Sequence, residues 1–192
     1  MSLRLPVTAA DHALGSADAP VTLLEYGDYQ CPFCGRAHPI VEALRARFGD
    51  RLRFVFRNFP LTEIHPQALH AAQAAESVAA RHGEDAFWRM HHAIFAHQKA
   101  LLDRHLGEYA ASAGADPGAV LGDVAAGAHV ARVEADFAGG VRSGVNGTPT
   151  FFLNGERFDG DWRDLEGFAA AVARAAGEAS GHVHPAQAAH RE

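Results

Sequence analysis

Cysteine is nearly absent: the 192 residues contain two. Two are too few to staple a disulfide scaffold. They also lie close together, at Cys31 and Cys34, where closing a loop of about four residues stabilises by only ~2 kcal/mol, against ~3 for about fifteen. A chain of this length with 48% hydrophobic content buries roughly 70% of its unfolded surface without such help. A structural bridge is therefore the weaker explanation of the pair, and one domain, or one with a large insertion, is expected. Long apolar runs are missing too. No stretch approaches the ~20 apolar residues of a membrane span, and Met1 to Ala13 shows no charged region followed by a continuous apolar one. As written, the chain is expected to be cytoplasmic, or periplasmic or cell-envelope where a leader has been removed. Positive charge is in deficit, 17 basic residues against 23 acidic for a net charge of −6. No basic stripe is present, so nucleic acid and anionic lipid are not expected partners.

What is there is a sequence of alternating element signals. Val21 to Tyr26 is a short apolar run bounded by Pro20 and Gly27, with one acid, Glu25, inside it; it reads as a buried strand. Pro32 suits the first position of a helix, whose apolar residues Ile40, Val41, Leu44 and Phe48 recur until Gly49. Leu52 to Phe59 reads as a second strand, so strand, helix and strand form a right-handed parallel unit. From Pro60 to about Val141 the pattern is helical, with Leu102, Leu106, Tyr109 and Ala113 on one face and Val130, Val133, Phe137 and Val141 on another. Asp116-Pro117 reads as a cap and first turn. Asn154-Gly155 predicts a hairpin between Thr150–Leu153 and Glu156–Phe158. Asp161 is expected to cap a last helix through Leu165, Phe168, Ala169 and Val172, and the tail after Gly177 to fray.

The chemistry concentrates at Cys31-Pro32-Phe33-Cys34. Cys31 precedes a helix whose first N–H groups have no partners, and the dipole there contributes ~0.3–1 kcal/mol, up to ~2 when partly buried. With 1.36 kcal/mol per pKa unit, that moves the thiol by about one unit. Backbone hydrogen bonds must supply the rest of the ionisation that a nucleophile needs. Cys34, one turn on, lies within reach of a disulfide and reads as the resolving thiol. Glu25, inside a buried strand, is costly unless it has a partner or a task. Zinc wants about four ligands, and no second cysteine pair or well-spaced histidine pair completes a set, so no metal is expected. Thirteen histidines are scattered, and His91 and His92, adjacent on a helix, are expected to diverge. His182, His184 and His190 could take stray metal weakly. Phe87, Trp88 and Phe95 read as core residues, with any exposed ones lining a groove beside Cys31. Gly139-Gly140 lacks the strand-turn-helix setting of a phosphate loop.

Four landmarks carry a family resemblance: Glu25-Tyr26-Gly27-Asp28-Tyr29-Gln30-Cys31-Pro32-Phe33-Cys34, Asn58-Phe59-Pro60-Leu61, Phe87-Trp88-Arg89-Met90-His91 and Gly147-Thr148-Pro149-Thr150-Phe151. In that order they resemble the DsbA-like thiol-disulfide oxidoreductases of the thioredoxin superfamily, over roughly Val7 to Ala176. The resemblance implies an α/β thioredoxin fold, a central mixed sheet flanked by helices, with an inserted all-helical domain. The parts would be 7–59 and 144–177 for the thioredoxin domain, 60–143 for the insert and 178–192 for a flexible tail. It implies an enzyme in which Cys31 is the nucleophile, Cys34 the resolver and Glu25 the proton manager. Thr148 and a cis Pro149 would form the peptide platform beside Pro32 and Phe33. No cofactor is implied beyond the Cys31–Cys34 disulfide. Partners would be protein or peptide thiols and a redox protein that recycles the pair; a monomer is expected. The DsbA pattern has histidine where this chain has Phe33, which implies a less oxidising couple. A reductase or isomerase, a peptide-binding chaperone-like module and a glutathione transferase are the competing readings.

Overall fold

In the computed structural model, which describes residues 1–180, two strands carry the centre of the fold. β1 (Val21–Gly27) and β2 (Leu52–Asn58) run parallel, Val21 opposite Leu52 and Gly27 opposite Asn58. Both are buried at all but their second residue because both faces of the sheet are covered. Leu23, Phe54 and Phe56 point into one cluster, and Leu24, Tyr26 and Val55 into the other. α1 (Pro32–Phe48) joins the strands with Pro32 at its first position, burying Cys34, Ala37, Val41 and Leu44; Gly49, at φ 52°, ends it. β3 (Thr150–Leu153) pairs antiparallel with β1 and turns into β4 (Glu156–Arg157). The turn places Asn154 at φ 48° and Gly155 at φ 84°, the two left-handed positions that an Asn-Gly hairpin supplies.

A fifth strand, unforeseen in the sequence, is β0 (His12–Leu14), antiparallel to β2 at the sheet edge. Three residues carry too little alternation to announce a strand. The order across the sheet is β0-β2-β1-β3-β4. Between β2 and β3 lie α2 (Ala68–His82), α3 (Glu84–Ala96), α4 (Asp103–Ser112), α5 (Pro117–Ala125) and α6 (Val130–Arg142). These inserted helices share a core with the sheet: Phe87, Met90, Ile94 and Leu106 belong to the same cluster as Phe54 and Phe56. Asp116 caps α5, its side chain accepting from the Ala119 N–H at 2.7 Å.

Two local expectations are corrected. α6 does not bury the face of Phe137 and Val141, which are 36% and 53% exposed. Its packed face carries Val133, Asp136, Gly139 and Gly140. Asp136 accepts from the Asn58 N–H at 3.1 Å, and a Cβ on Gly140 would meet the Phe59 ring at 2.7 Å. Small and polar residues thus make the contact, and hydrophobic periodicity cannot see them. The last helix, α7 (Leu165–Ser180), begins directly after Asp164, while Asp161 accepts from Arg163 instead. α7 continues three residues past Gly177; 181–192 lie outside the described residues.

β0 is fastened to the insert by an ion triad of buried His12 and Glu76 with the more exposed Glu84. His12 stacks on Phe87 with ring centroids 3.5 Å apart. Its Nε2 lies 3.1 Å from Glu76 and its Nδ1 2.9 Å from Glu84. Burial opposes charge on His12, but the two carboxylates outweigh it and raise its pKa to about 9. A raised folded pKa stabilises fully below the unfolded value of 6.5 and fades as pH rises through about 9. His12→Gln is therefore expected to cost about 3 kcal/mol at pH 6, a difference that shrinks toward pH 10 in denaturant titrations of the two proteins. A pH-independent difference would contradict it.

Candidate active site

β1 ends at Gly27, and four residues carry the chain to α1. The turn is built on Asp28, whose carboxylate is buried. One oxygen accepts the N–H groups of Gln30 at 2.7 Å and Cys31 at 3.2 Å. The other accepts the Leu61 N–H at 2.8 Å and lies 2.8 Å from Nδ1 of His65. This folds the chain so that Cys31 is the residue preceding the helix, extended at φ −67° and ψ 121°, with no side chain capping the free N–H groups. From the insert, Gln98 Nε2 donates to the carbonyls of Tyr29 at 2.8 Å and Cys31 at 2.9 Å. Gly35 leaves room for that amide; any Cβ there would collide with it.

The two thiols are free and differ in environment. Hydrogen bonding from Cys34, then from Thr148 and from the N–H groups of Cys34 and Phe33, overcomes burial and brings the Cys31 pKa down to about 5. A helix dipole alone accounts for about one pKa unit. The sequence named the dipole and the backbone donors; the leading contribution, the neighbouring thiol itself, was not foreseen. Cys31 Sγ lies 3.4 Å from the Thr148 carbonyl, and the Thr148 hydroxyl is buried without a partner, available to an ionised sulfur. Cys34 is fully buried, and burial pushes its thiol well above the ordinary range, with Cys31 and Glu25 adding to the effect. Its sulfur accepts the Asp28 N–H at 3.4 Å.

Glu25 sits on β1 between Phe56 and Phe151, 3% exposed, with one carboxylate oxygen lacking any partner. Burial, then the charge of Cys31, raises its pKa to about 8, so it holds a proton at neutral pH. The Thr148-Pro149 peptide is cis and its loop faces Cys31. Phe33, 47% exposed, stands at the front with the Arg36 guanidinium 4.5 Å over its ring. Pro32, Gln30, Phe95 and Lys99 line a groove beside the helix start. The structure thus gathers Cys31, Cys34, Glu25, Pro32, Phe33, Thr148 and Pro149 around one helix end. Phe87 and Trp88 are core residues as expected. Asp28 and Gln98 were missed. Asp28 stands three residues before Cys31, a spacing that suits an Asx turn; nothing in the sequence pointed to Gln98, which arrives from the insert.

A thioredoxin family model matches residues 8–173. Among solved structures, BdbD from Bacillus subtilis is 25% identical with a TM-score of 0.79, covering 87% of this chain and 93% of its own. A thioredoxin-like oxidoreductase from Silicibacter pomeroyi is 26% identical with a TM-score of 0.71, covering 87% and 94%. The chain is also 40% identical over 176 residues to a Na(+)/H(+) antiporter NhaA 1 from Salinispora arenicola, covering 91% of this chain but 26% of that protein. It spans about a quarter of the length of the curated relatives it matches, so that likeness bears on this domain and not on ion transport. With the cysteine pair at the head of its first long helix and helices inserted between its second and third central strands, the chain belongs to the thioredoxin family.

Proposed function

We propose that this chain is a protein thiol-disulfide oxidoreductase that accepts electrons from protein or peptide dithiols. The observation that carries the reading is the split between its thiols, Cys31 ionising near pH 5 and Cys34 held protonated by burial. A stabilised thiolate favours the reduced pair, which makes the oxidised pair an oxidant.

In the oxidised protein a substrate thiolate attacks Cys31 Sγ and the Sγ–Sγ bond to Cys34 breaks. Cys34 leaves as a thiolate into an apolar pocket and needs a proton. Glu25, neutral at pH 7 and close enough for its charge to raise Cys34, supplies it. A second substrate thiolate then attacks its own sulfur in the mixed disulfide and expels Cys31 as a stable thiolate. Two electrons pass from the substrate dithiol to the pair: Cys34 keeps the proton from Glu25, Cys31 stays a thiolate, and of the two protons lost by the substrate thiols one restores Glu25 and the other goes to solvent. A disulfide-bearing redox partner takes the electrons on; no further cofactor enters. The Thr148-Pro149 loop and the groove by Pro32 and Phe95 offer backbone and apolar surface for an extended peptide. Phe33 contributes no imidazolium charge, so the couple is proposed to be less oxidising than a Cys-Pro-His-Cys pair. A potential at which the pair reduces its partners would instead make the chain a reductase.

Cys31→Ser is expected to abolish oxidation of a dithiol peptide, and Cys34→Ser to accumulate a mixed disulfide through Cys31, detectable by mass. No dithiol oxidation by the wild type, with peptide binding unchanged in Cys31→Ser, would leave a binding module. Equilibration with glutathione buffers should place the couple below a Cys-Pro-His-Cys enzyme, with ~30 mV for each 1.4 kcal/mol.

For Glu25→Gln two readouts move in opposite directions. An acid with a raised folded pKa destabilises increasingly from about pH 4.5 to about 8. The variant should therefore be more stable by about 1–3 kcal/mol at pH 7 and equal to the wild type below pH 4. Its mixed-disulfide formation should slow roughly 10²-fold and lose its pH dependence near 8. An unchanged pH profile would remove Glu25 from proton transfer.

A further inference from the structure

Beneath the redox pair, the structure brings together three histidines that the sequence scatters. His38 lies on α1, one turn beyond Cys34; His91 and His92 lie on α3. The divergence expected of adjacent helical residues does not keep them apart. His92 points toward α1 and its Nδ1 comes within 3.2 Å of His38 Nε2. His91 reaches the same place from the buried side, its ring centroid 5.4 Å from that of His38 and 5.5 Å from that of His92. One ring nitrogen of each lies within 4.8 Å of the other two.

We propose that His38, His91 and His92 form a binding site for a divalent transition-metal ion that favours imidazole, with zinc as its representative, clasping α1 to the inserted helix α3. Three features support this beyond proximity. Two nitrogens bound to a tetrahedral zinc at 2.0–2.1 Å stand roughly 3.3 Å apart, close to the 3.2 Å between His38 and His92. The third nitrogen, within 4.8 Å of the other two, has at most about 1.5 Å to close to complete the set. His91 also has the supporting contact that a metal-bound histidine requires: its Nδ1 lies 3.0 Å from the Tyr29 hydroxyl, and a proton donated there leaves Nε2 as the free lone pair. Finally, the pocket has one closed and one open side. His91 is buried among Tyr29, Phe56, Trp88 and Phe95, whereas His38 and His92 are half-buried, leaving room for water as the fourth ligand. Burial lowers the proton affinity of all three rings and so favours neutral imidazoles; an ion would take the place of the proton shared between His38 and His92, which moves to the other nitrogen of its ring. Glu42, one turn after His38, is held by both oxygens to Arg45 and is not counted as a ligand.

The site is distinct from the cysteines but linked to them. Tyr29, held by His91, lies two residues before Cys31, and its carbonyl is bonded to Gln98. A bound ion would therefore tie the turn that positions Cys31 to the insert.

The test is a zinc titration of the full chain with its Cys31–Cys34 disulfide formed, so that thiols cannot compete, read by competition with a chromophoric chelator. The expected result is one zinc per chain with a dissociation constant on the order of micromolar or tighter. His38→Gln and His92→Gln should each weaken it at least about tenfold, and His70→Gln, which alters a surface histidine paired with Asp103, should not. At free zinc about 100-fold above that constant, the melting temperature of the wild type should rise by about 5–10 °C and that of His38→Gln should not. His92→Gln carries the comparison if His38→Gln fails to fold by circular dichroism. Equal affinity in wild type and both variants would put the zinc on other histidines, such as His182, His184 and His190 outside the described residues, and overturn the proposal. So would the absence of stoichiometric binding by the wild type.

Discussion

The arrangement depends on unequal treatment of two identical side chains one helical turn apart. Cys31 stands where unpaired N–H groups, the Thr148 loop and the Cys34 thiol converge on its sulfur. Cys34 is sealed in the core, where its sulfur accepts the Asp28 N–H. The same proximity that lowers one thiol raises the other, because a proton shared between two sulfurs stabilises the ionised partner at the expense of the protonated one. Glu25 extends the asymmetry. It adds to the raising of Cys34 while being raised by Cys31, so three groups behind one helix end share very few charges at neutral pH.

Maintaining that geometry falls to parts of the chain far apart in sequence. Asp28 gathers the turn before the helix and the segment after the second long strand onto one carboxylate. Gln98 holds the same turn from the insert, and Gly35 exists to admit it. The inserted helices are therefore a wall of the site as well as a lid on the sheet. Their attachment through His12, Glu76 and Glu84 at the far edge shows the same economy: a buried charge is tolerated only where its partners come from separate elements and satisfy it fully.

Much of this was legible in the sequence where local physics dominates. The parallel unit around the cysteines, Pro32 opening its helix, the Asp116 cap and the Asn154-Gly155 turn each depend on a few neighbouring residues, and each was read correctly. The family resemblance supplied the insert and the placement of Thr148 and Pro149 opposite Cys31. What escaped were features made by tertiary approach. β0 is too short to show a period, and the packed face of α6 is marked by glycines and Asp136 instead of valine and phenylalanine. Gln98 looks like any surface amide, and the histidine trio spans helices that only the fold brings together. Such contacts leave no periodic trace because side chains of small volume or mixed polarity make them.

The central claim is tested most directly by the ultraviolet thiolate absorbance of the fully reduced protein across pH. One thiolate should appear with a midpoint near pH 5 and vanish in Cys31→Ser, with the second absent until well above pH 9. A single transition of two thiolates near the ordinary cysteine value of about 8.5 would show that the sulfurs are alike, and would contradict the account.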